Sequence, residues 1–302
     1  MNETILITGA SGFIGKHLVA ALQNLKLDVR PHSLRQGLPD LLPGTVSHVF
    51  HLAAKTYVPE SWSDPLSFYE ANTLGTIKIL DFCRQVGSPI TIVSSYVYGH
   101  PSSLPVSEDT PIRAFNPYSQ SKILAEQAAQ YYAEAFGVSV RLIRPFNLYG
   151  PFQDSRFIIP TLLQQALDPS LSVFSVADSR PRRDFLFIND FIDLLIRTRS
   201  TTVVPFSVFN AGSGSSVSIS DLCNTLNALT GMHKGLVSRG ERRPNEVLDV
   251  FADISKAQRQ LHWSPKTSIE KGLALTIDAL KQVKSENSNW NRSVEEYKCN
   301  DS

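Results

Sequence analysis

The sequence predicts an α/β protein: a Rossmann, doubly wound parallel sheet with a smaller α+β lobe that binds substrate. Three observations predict it. Short aliphatic runs alternate with helical patterns up to Gly150, a glycine-rich turn joins the first run to the first helix, and after Pro151 the segments become shorter and richer in Pro, Ser and Arg. Strands that alternate with helices imply βαβ units, whose crossovers bring successive strands in parallel.

Taken in order, Thr4–Thr8 is a strand, Lys16–Leu25 an amphipathic helix, the stretch around Leu27–Pro31 the second strand, and Val46–Leu52 the next. Asn72–Val86 reads as a helix, Pro89–Ser94 as a strand, Ser119–Phe136 as a helix and Val138–Arg144 as a strand. Val138–Ile143 is largely apolar apart from Arg141, as a strand buried on both faces should be. Phe185–Ile188 and Val208–Asn210 read as strands that rejoin the main sheet, so the domains interleave. The expected division gives 1–150, rejoined by about 185–212, to the dinucleotide fold and 151–184 with 213–284 to the substrate lobe. The Ser/Asn/Glu-rich stretch 285–302 is expected to be a loose tail.

A length of 302 residues suits about two domains, and 42% hydrophobic with 19% charged residues is enough to bury a core. With 29 basic against 28 acidic residues there is no electrostatic footprint for nucleic acid. Cys83, Cys223 and Cys299 are odd in number, far apart and in no metal-ligand spacing, so neither a disulfide framework nor a metal site is expected. No export signal is visible and no apolar run approaches the roughly 18 residues needed to cross a bilayer. A cytoplasmic protein with no membrane partner is the expectation.

Gly9-Ala10-Ser11-Gly12-Phe13-Ile14-Gly15 follows the first strand and opens the first helix. In such a turn one glycine allows the tight bend, one lets the backbone approach a pyrophosphate, and one lets helix and strand pack closely. The helix N-terminus then offers unpaired N–H groups to the phosphates. A dinucleotide, NADP or NAD, is therefore the expected cofactor. An acidic residue some 20 positions on would bind the adenosine ribose. Here Asp28 lies too early, Ser33 stands where the carboxylate belongs, and Arg35 follows two residues later. Loss of the carboxylate removes repulsion of a 2′-phosphate and a guanidinium attracts it, which favours NADP.

Tyr118 and Lys122 are spaced i, i+4 at the start of a helix announced by Asn116-Pro117, so they share a face. They lie downstream of Val93-Ser94-Ser95-Tyr96-Val97-Tyr98-Gly99, which closes a strand. A phenol that works near neutral pH needs its pKa lowered, and a neighbouring ammonium can do that. Tyr118 then exchanges a proton with a sugar oxygen while the cofactor exchanges hydride at the same carbon, and Ser94 orients that oxygen.

These motifs together resemble the extended short-chain dehydrogenases/reductases, the NAD-dependent epimerase/dehydratase group. The resemblance runs from Thr4 to about Leu273. Besides the glycine turn and Tyr118–Lys122 it includes His51-Leu52-Ala53-Ala54, Asn72 with Gly75-Thr76, Arg144-Pro145-Phe146-Asn147-Leu148-Tyr149-Gly150-Pro151, Arg183-Asp184-Phe185 and Ala252–Ala257. It implies that Leu52, Ala53, Ala54 and Pro145 line the cofactor and that Ser95 and Asn147 meet the substrate. It further implies that Arg183 and Arg243 contact phosphates or base, that Glu246 holds the nucleotide ribose, and that the chain forms a homodimer through the helices at Asn72–Val86 and Ser119–Phe136. A dianionic diphosphate is well matched to guanidinium forks.

Within the family, 4,6-dehydratases carry an Asp-Glu pair directly after the serine or threonine. Here Ser95 and Tyr96 stand there, and neither suits the base and acid that dehydration needs. Thr56–Glu60 and the short segment between the second and third strands resemble the GDP-4-keto-6-deoxy-D-mannose reductases. Arg242–Glu246 and Ala252-Asp253 resemble UDP-sugar 4-epimerases of the Glc/Gal or GlcNAc/GalNAc type. Reduction at C4 of a nucleotide-linked 4-keto-6-deoxyhexose is the first expectation and 4-epimerisation the alternative. A non-catalytic dinucleotide-sensing module would have no need of Tyr118 or Lys122.

Overall fold

A computed structural model describes residues 4–40, 44–200, 205–241 and 247–282. Its strands β1 (Thr4–Thr8), β2 (Asp28–His32), β3 (His48–His51), β4 (Ile90–Val93), β5 (Val140–Pro145) and β6 (Phe206–Ala211) form a six-stranded sheet in the order β2-β1-β3-β4-β5-β6. Every pairing in it is parallel. The chain leaves β1 for β2 on one side and then returns to place β3 on the other. That reversal opens a crevice at the carboxyl ends of β1 and β3, where open α/β sheets bind ligands.

Four strands, β1, β3, β4 and β5, are buried along their whole length, while β2 is partly exposed and contains Pro31, as befits an edge. Helices α1 (Phe13–Asn24), α2 (Gly75–Val86), α3 (Pro117–Phe136) and α4 (Ile188–Arg197) cover the sheet. On one face Leu6, Val49, Ile90, Ile92, Val140 and Leu142 pack with Ile79 and Leu80 of α2 and Ala129 and Ala133 of α3. Helix α1 packs against α4.

Local chemistry sets the helix ends. The Asn116 side chain accepts from Ser119 N–H at 2.7 Å, Pro117 takes the first turn, and α3 stops at Gly137 in the left-handed region (φ 70°). Helix α1 begins at Phe13 rather than at Lys16, because Gly12 is already its extended N-cap. The stretch expected to begin a helix at Asn72 is a π-helical turn, Tyr69–Leu74, before α2 proper. Inside it Asn72 is fully buried and bridges the backbone of Lys55 to Ser121 Oγ.

The described residues divide into two compact units. One lies within Met1–Leu148, Arg180–Ser218 and Arg242–Lys266, the other within Tyr149–Ser179, Ile219–Glu241 and Thr267–Ser302. Thus 180–184, 213–218 and 247–266 go with the dinucleotide fold, not with the lobe to which the sequence pattern assigned them. The reason is Asp184: its buried carboxylate accepts from the backbone N–H groups of Ser213 (2.6 Å), Gly214 (3.1 Å) and Ala252 (3.0 Å), tying the three segments together. Phe206–Ala211 joins the sheet as expected, whereas Phe185–Phe187 does not. It forms a separate two-stranded ribbon with the strand that opens at Asn147. In the second unit Val173–Val176 pairs in parallel with Gly235–Ser238, and helices Ile158–Leu167 and Ile219–Thr230 pack together. The buried Lys234 ammonium donates to the carbonyls of Gln165 (2.6 Å) and Asp168, closing the end of the first of these helices.

The tail at 285–302, with Cys299, lies outside the described residues; Cys83 and Cys223 are buried free thiols. Among the described residues no helix is long and apolar enough to cross a membrane.

Candidate functional site

The glycine turn is pressed against the end of β3. Gly9 has φ 74°, and a Cβ there would lie 2.6 Å from Ala53 N; a Cβ on Gly15 would lie 2.2 Å from the Gly9 carbonyl oxygen. Only glycine fits at either position. Gly12 N–H closes the turn onto Gly9 O at 3.0 Å and leads into α1. A cleft of about 770 Å³ opens over this turn. Gly9, Ser11, Gly12, Ser33, Arg35, Leu52, Ala53 and Ala54 all line it, with Ala10, His32, Gln36, Lys55, Glu70 and Lys78 among the residues added by the fold. Phe13, Ile14, Gly15, Tyr118, Lys122 and Pro145 do not line it. Gly15 serves the cleft indirectly, by letting α1 approach Ala10. The cradle suits a pyrophosphate, since its glycines let the turn pack tightly and bring the N-terminus of α1 to the cleft.

The end of the cleft formed by β2 carries no carboxylate. Asp28 sits at the start of β2, where it accepts from Thr4 Oγ1 at 2.8 Å and pairs with Arg30. Arg35, on the short turn Leu34–Gln36, and Lys78, on α2, both line the cleft. The one carboxylate among the lining residues, Glu70, comes from the π-helical turn rather than from β2.

Tyr118, Lys122 and Glu126 follow one another by four along α3. Lys122 is buried, its Nζ donating to the Val93 carbonyl at 2.7 Å. Burial pulls its pKa down to about 8, opposed by Glu126. The Tyr118 pKa is raised, because burial outweighs the help of the neighbouring Ser95 hydroxyl. The protein's own groups alone do not lower it; the expectation joined Lys122 with the oxidised nicotinamide. The ammonium is turned to a backbone carbonyl, and the positive nicotinamide that would assist belongs to the oxidised cofactor.

Ser94 is also placed otherwise than expected. Its hydroxyl donates to Glu126 Oε1 at 2.5 Å, and the Glu126 carboxylate is gripped by Arg144 through Nη2 (2.6 Å) and Nε (3.2 Å). Arg144 Nη1 continues to Tyr98 OH at 3.0 Å, which donates to Asn210 Oδ1. Strand alternation explains this: Ser94 follows Ile90 and Ile92 on the face that packs against α3. Sequence reasoning missed Glu126; its signal was the third step of the Tyr118–Lys122 spacing.

Of the residues expected to meet substrate, Asn147 donates its amide to the Asp184 carbonyl at 3.0 Å. Arg183 donates Nη1 to the carbonyls of Arg182 (2.8 Å) and Val247 (2.6 Å). Ser95 is buried beside Tyr118. Arg243 and Glu246 lie outside the described residues.

Comparison with known proteins identifies the family. The family model for GDP-mannose 4,6 dehydratase matches residues 35–276. The chain is 30% identical to GDP-6-deoxy-D-mannose reductase of Pseudomonas aeruginosa, over 95% of this chain and 100% of the relative. It is 26% identical to UDP-glucose 4-epimerase of Azospirillum brasilense, over 98% and 94%. Among solved structures, MoeE5 in complex with UDP-glucose and NAD superposes with a TM-score of 0.85 at 30% identity, covering 93% of this chain and 99% of that one. RMD from Pseudomonas aeruginosa complexed with NADPH gives 0.83 at 29%, covering 92% and 98%.

Proposed function

The chain belongs to the extended short-chain dehydrogenase/reductase family, and from that premise we propose that it reduces a nucleoside-diphosphate 4-keto-6-deoxyhexose at C4 with NADPH. The observation that carries this reading is the adenosine end of the cleft, lined by Arg35 and Lys78 with no carboxylate at the end of β2. Such an end favours a 2′-phosphate. A phosphorylated cofactor that is released after each cycle suits net reduction, whereas epimerisation reuses one tightly held NAD. Similarity to GDP-6-deoxy-D-mannose reductase supports the same reading.

When bound, the nicotinamide supplies the hydride to C4. The turn from Gly9 to Gly12 holds the pyrophosphate with backbone N–H groups. Lys122 holds the nicotinamide ribose. Tyr118 donates its proton to the C4 oxygen as the carbonyl becomes an alcohol, so hydride and proton together balance the reduction. Burial raises the phenol pKa, which keeps that proton in place at neutral pH until the oxygen takes it. Asn147 and Arg183 are assigned to the diphosphate, where their donors suit a dianion.

UDP-sugar 4-epimerisation is the second reading, favoured by similarity to UDP-glucose 4-epimerases. We also assign the protein to the cytoplasm, as a homodimer. Exposed Trp62, Leu66, Leu74 and Tyr131 lie on or next to the helices that a second copy would cover, and light scattering on the eluting protein tests this.

The reaction is tested by supplying GDP- or dTDP-linked 4-keto-6-deoxyhexose with NADPH. Cofactor absorbance is expected to fall mole for mole with product. Interconversion of UDP-glucose and UDP-galactose, or of their N-acetyl forms, without added cofactor would replace this reading with the second.

A further inference from the structure

Five buried polar side chains take no part in the chemistry above: Thr8, His51, Asn72, Thr76 and Ser121. None of them lines the cofactor cleft. Hydrogen bonds nonetheless join them in one chain, from the end of β1, where the glycine turn begins, to the carbonyl of Tyr118.

The groups at each end of a bond fix its direction. Thr76 Oγ1 spends its one proton on the Asn72 carbonyl at 2.6 Å, since a carbonyl can only accept. In the contact between Thr76 Oγ1 and His51 Nε2, at 3.0 Å, the ring N–H is therefore the donor. Burial, with the Lys122 charge nearby, lowers the His51 pKa to about 3, so the ring is neutral and Nδ1 bears no proton. Nδ1 accepts from Thr8 Oγ1 at 2.7 Å, and Thr8 Oγ1 accepts in turn from Ala53 N–H at 3.4 Å. Ala53 is the residue against which Gly9 is pressed. On the other side, Asn72 Nδ2 donates to Ser121 Oγ at 2.9 Å, and Ser121 Oγ donates to the Tyr118 carbonyl at 2.7 Å. Thr73 Oγ1 adds a second bond to α3, at the Ser121 carbonyl (2.9 Å). Each proton has one place to go, and a buried network satisfied in this way is rigid.

Resting on the reading of Tyr118 as the proton donor, we infer that this chain is a positioning device: it holds the Tyr118 end of α3 in register with the glycine turn, so that cofactor affinity and proton transfer both depend on hydroxyls that line neither. The His51 ring is the link that cannot be reversed. With the proton on Nδ1 instead, bare Nε2 would face an oxygen whose proton is already spent on Asn72. The π-helical turn Tyr69–Leu74 belongs to the same device, since it brings two successive residues, Asn72 and Thr73, onto α3.

The test compares Thr76→Val, Thr76→Ser and Ser121→Ala with wild type, well below every Tm so that each sample is folded. Three quantities are read: the NADPH dissociation constant, kcat for the 4-keto-6-deoxyhexose substrate, and the 15N spectrum of protein labelled in histidine. Thr76→Val keeps the shape and removes the hydroxyl; it is expected to lose about tenfold or more in kcat, as small misplacements of reacting groups do. Its NADPH affinity is expected to fall about fivefold, the scale of one hydrogen bond. Thr76→Ser, which restores the hydroxyl, is expected to recover most of both losses. Ser121→Ala, on the far side of the chain from the glycine turn, is expected to weaken NADPH binding as well as turnover, and it carries the same test should Thr76→Val not fold. The wild-type spectrum is expected to show His51 protonated at Nε2 alone, and Thr76→Val to show a mixture of tautomers. A lower Tm in Thr76→Val and Ser121→Ala with wild-type kcat and NADPH affinity would make the chain structural only and overturn the proposal. So would a wild-type His51 protonated at Nδ1. If wild type itself does not turn over the 4-keto sugar, the reaction reading fails, and NADPH affinity with the His51 tautomer still decides the positioning role.

Discussion

Removing one atom at Tyr118 separates proton transfer from binding. Tyr118→Phe keeps the ring, its edge contact with Phe68 and the neighbouring Lys122, and deletes only the transferable proton. Turnover is expected to fall by roughly two to four orders of magnitude, with NADPH affinity changed only a few-fold. A variant that keeps more than about a tenth of turnover would remove Tyr118 from the chemistry. Arg35 makes a second residue-scale case. In Arg35→Ala, NADPH affinity is expected to drop by about 1–3 kcal/mol while NADH affinity holds, because only a 2′-phosphate meets the guanidinium. Parallel titrations of the two cofactors decide it, and equal weakening of both contradicts the assignment. The places of Tyr118 and Lys122 along α3 and of Arg35 on the cleft were legible in the sequence because they depend on local spacing. The hydrogen bond that ties Ser94 to Glu126 was not. Adjacent residues at a strand end differ by which way they point, and the Glu126 that claims Ser94 is 32 positions away.

The glycine turn and the start of α3 show how elements set the site. Gly15→Ala would place a methyl 2.2 Å from the Gly9 carbonyl, a clash with backbone that only movement of α1 can relieve. Loss of measurable NADPH binding is expected, with the protein either less stable or folded around a displaced turn. Calorimetric titration that finds wild-type affinity would contradict the packing role. At α3, Asn116→Ala removes the cap on Ser119 N–H, one turn before Lys122. The expected cost is about 1 kcal/mol of stability, seen as a Tm lower by a few degrees. The existence of β1, β4, α2, α3 and β5 was readable from alternation and period. The partner of Phe185–Phe187 was not, since pairing with the strand at Asn147 is set by contacts far apart in sequence. Likewise the π-helical turn at Tyr69–Leu74 follows from burial of Asn72 between Lys55 and Ser121, which no periodicity announces.

At the scale of the whole molecule, the sheet buries two histidines as neutral rings. His48 is hydrogen-bonded to Thr91 and His51 to Thr8 and Thr76. Burial, with nearby Arg199 and Arg141 for His48 and Lys122 for His51, lowers both pKa values from 6.5 to about 3. The unfolded chain therefore binds more protons than the folded one between those limits. Stability is fully present above about pH 6.5 and is lost as pH falls toward 3, at up to two protons, or about 2.7 kcal/mol, per pH unit. Denaturant unfolding measured across mildly acidic pH is expected to show that slope, and His48→Asn to halve it. A flat profile would mean that the rings are charged in the fold. The interleaving of the two units was only partly legible, because Asp184 joins Ser213, Gly214 and Ala252 through backbone N–H groups that carry no side-chain signature.

The central claim is that hydride passes from a free, exchangeable NADPH to C4 of the sugar. Its most direct test is mass spectrometry of the sugar nucleotide formed from a 4-keto-6-deoxyhexose substrate and NADPH carrying deuterium at the transferable position. The account predicts one deuterium at C4 in every product molecule, and the same labelled product at a yield roughly two to four orders of magnitude lower when Tyr118→Phe is used at equal concentration and time. Product that carries no deuterium, or a UDP-sugar epimerised at C4 while the labelled cofactor stays intact, would contradict it.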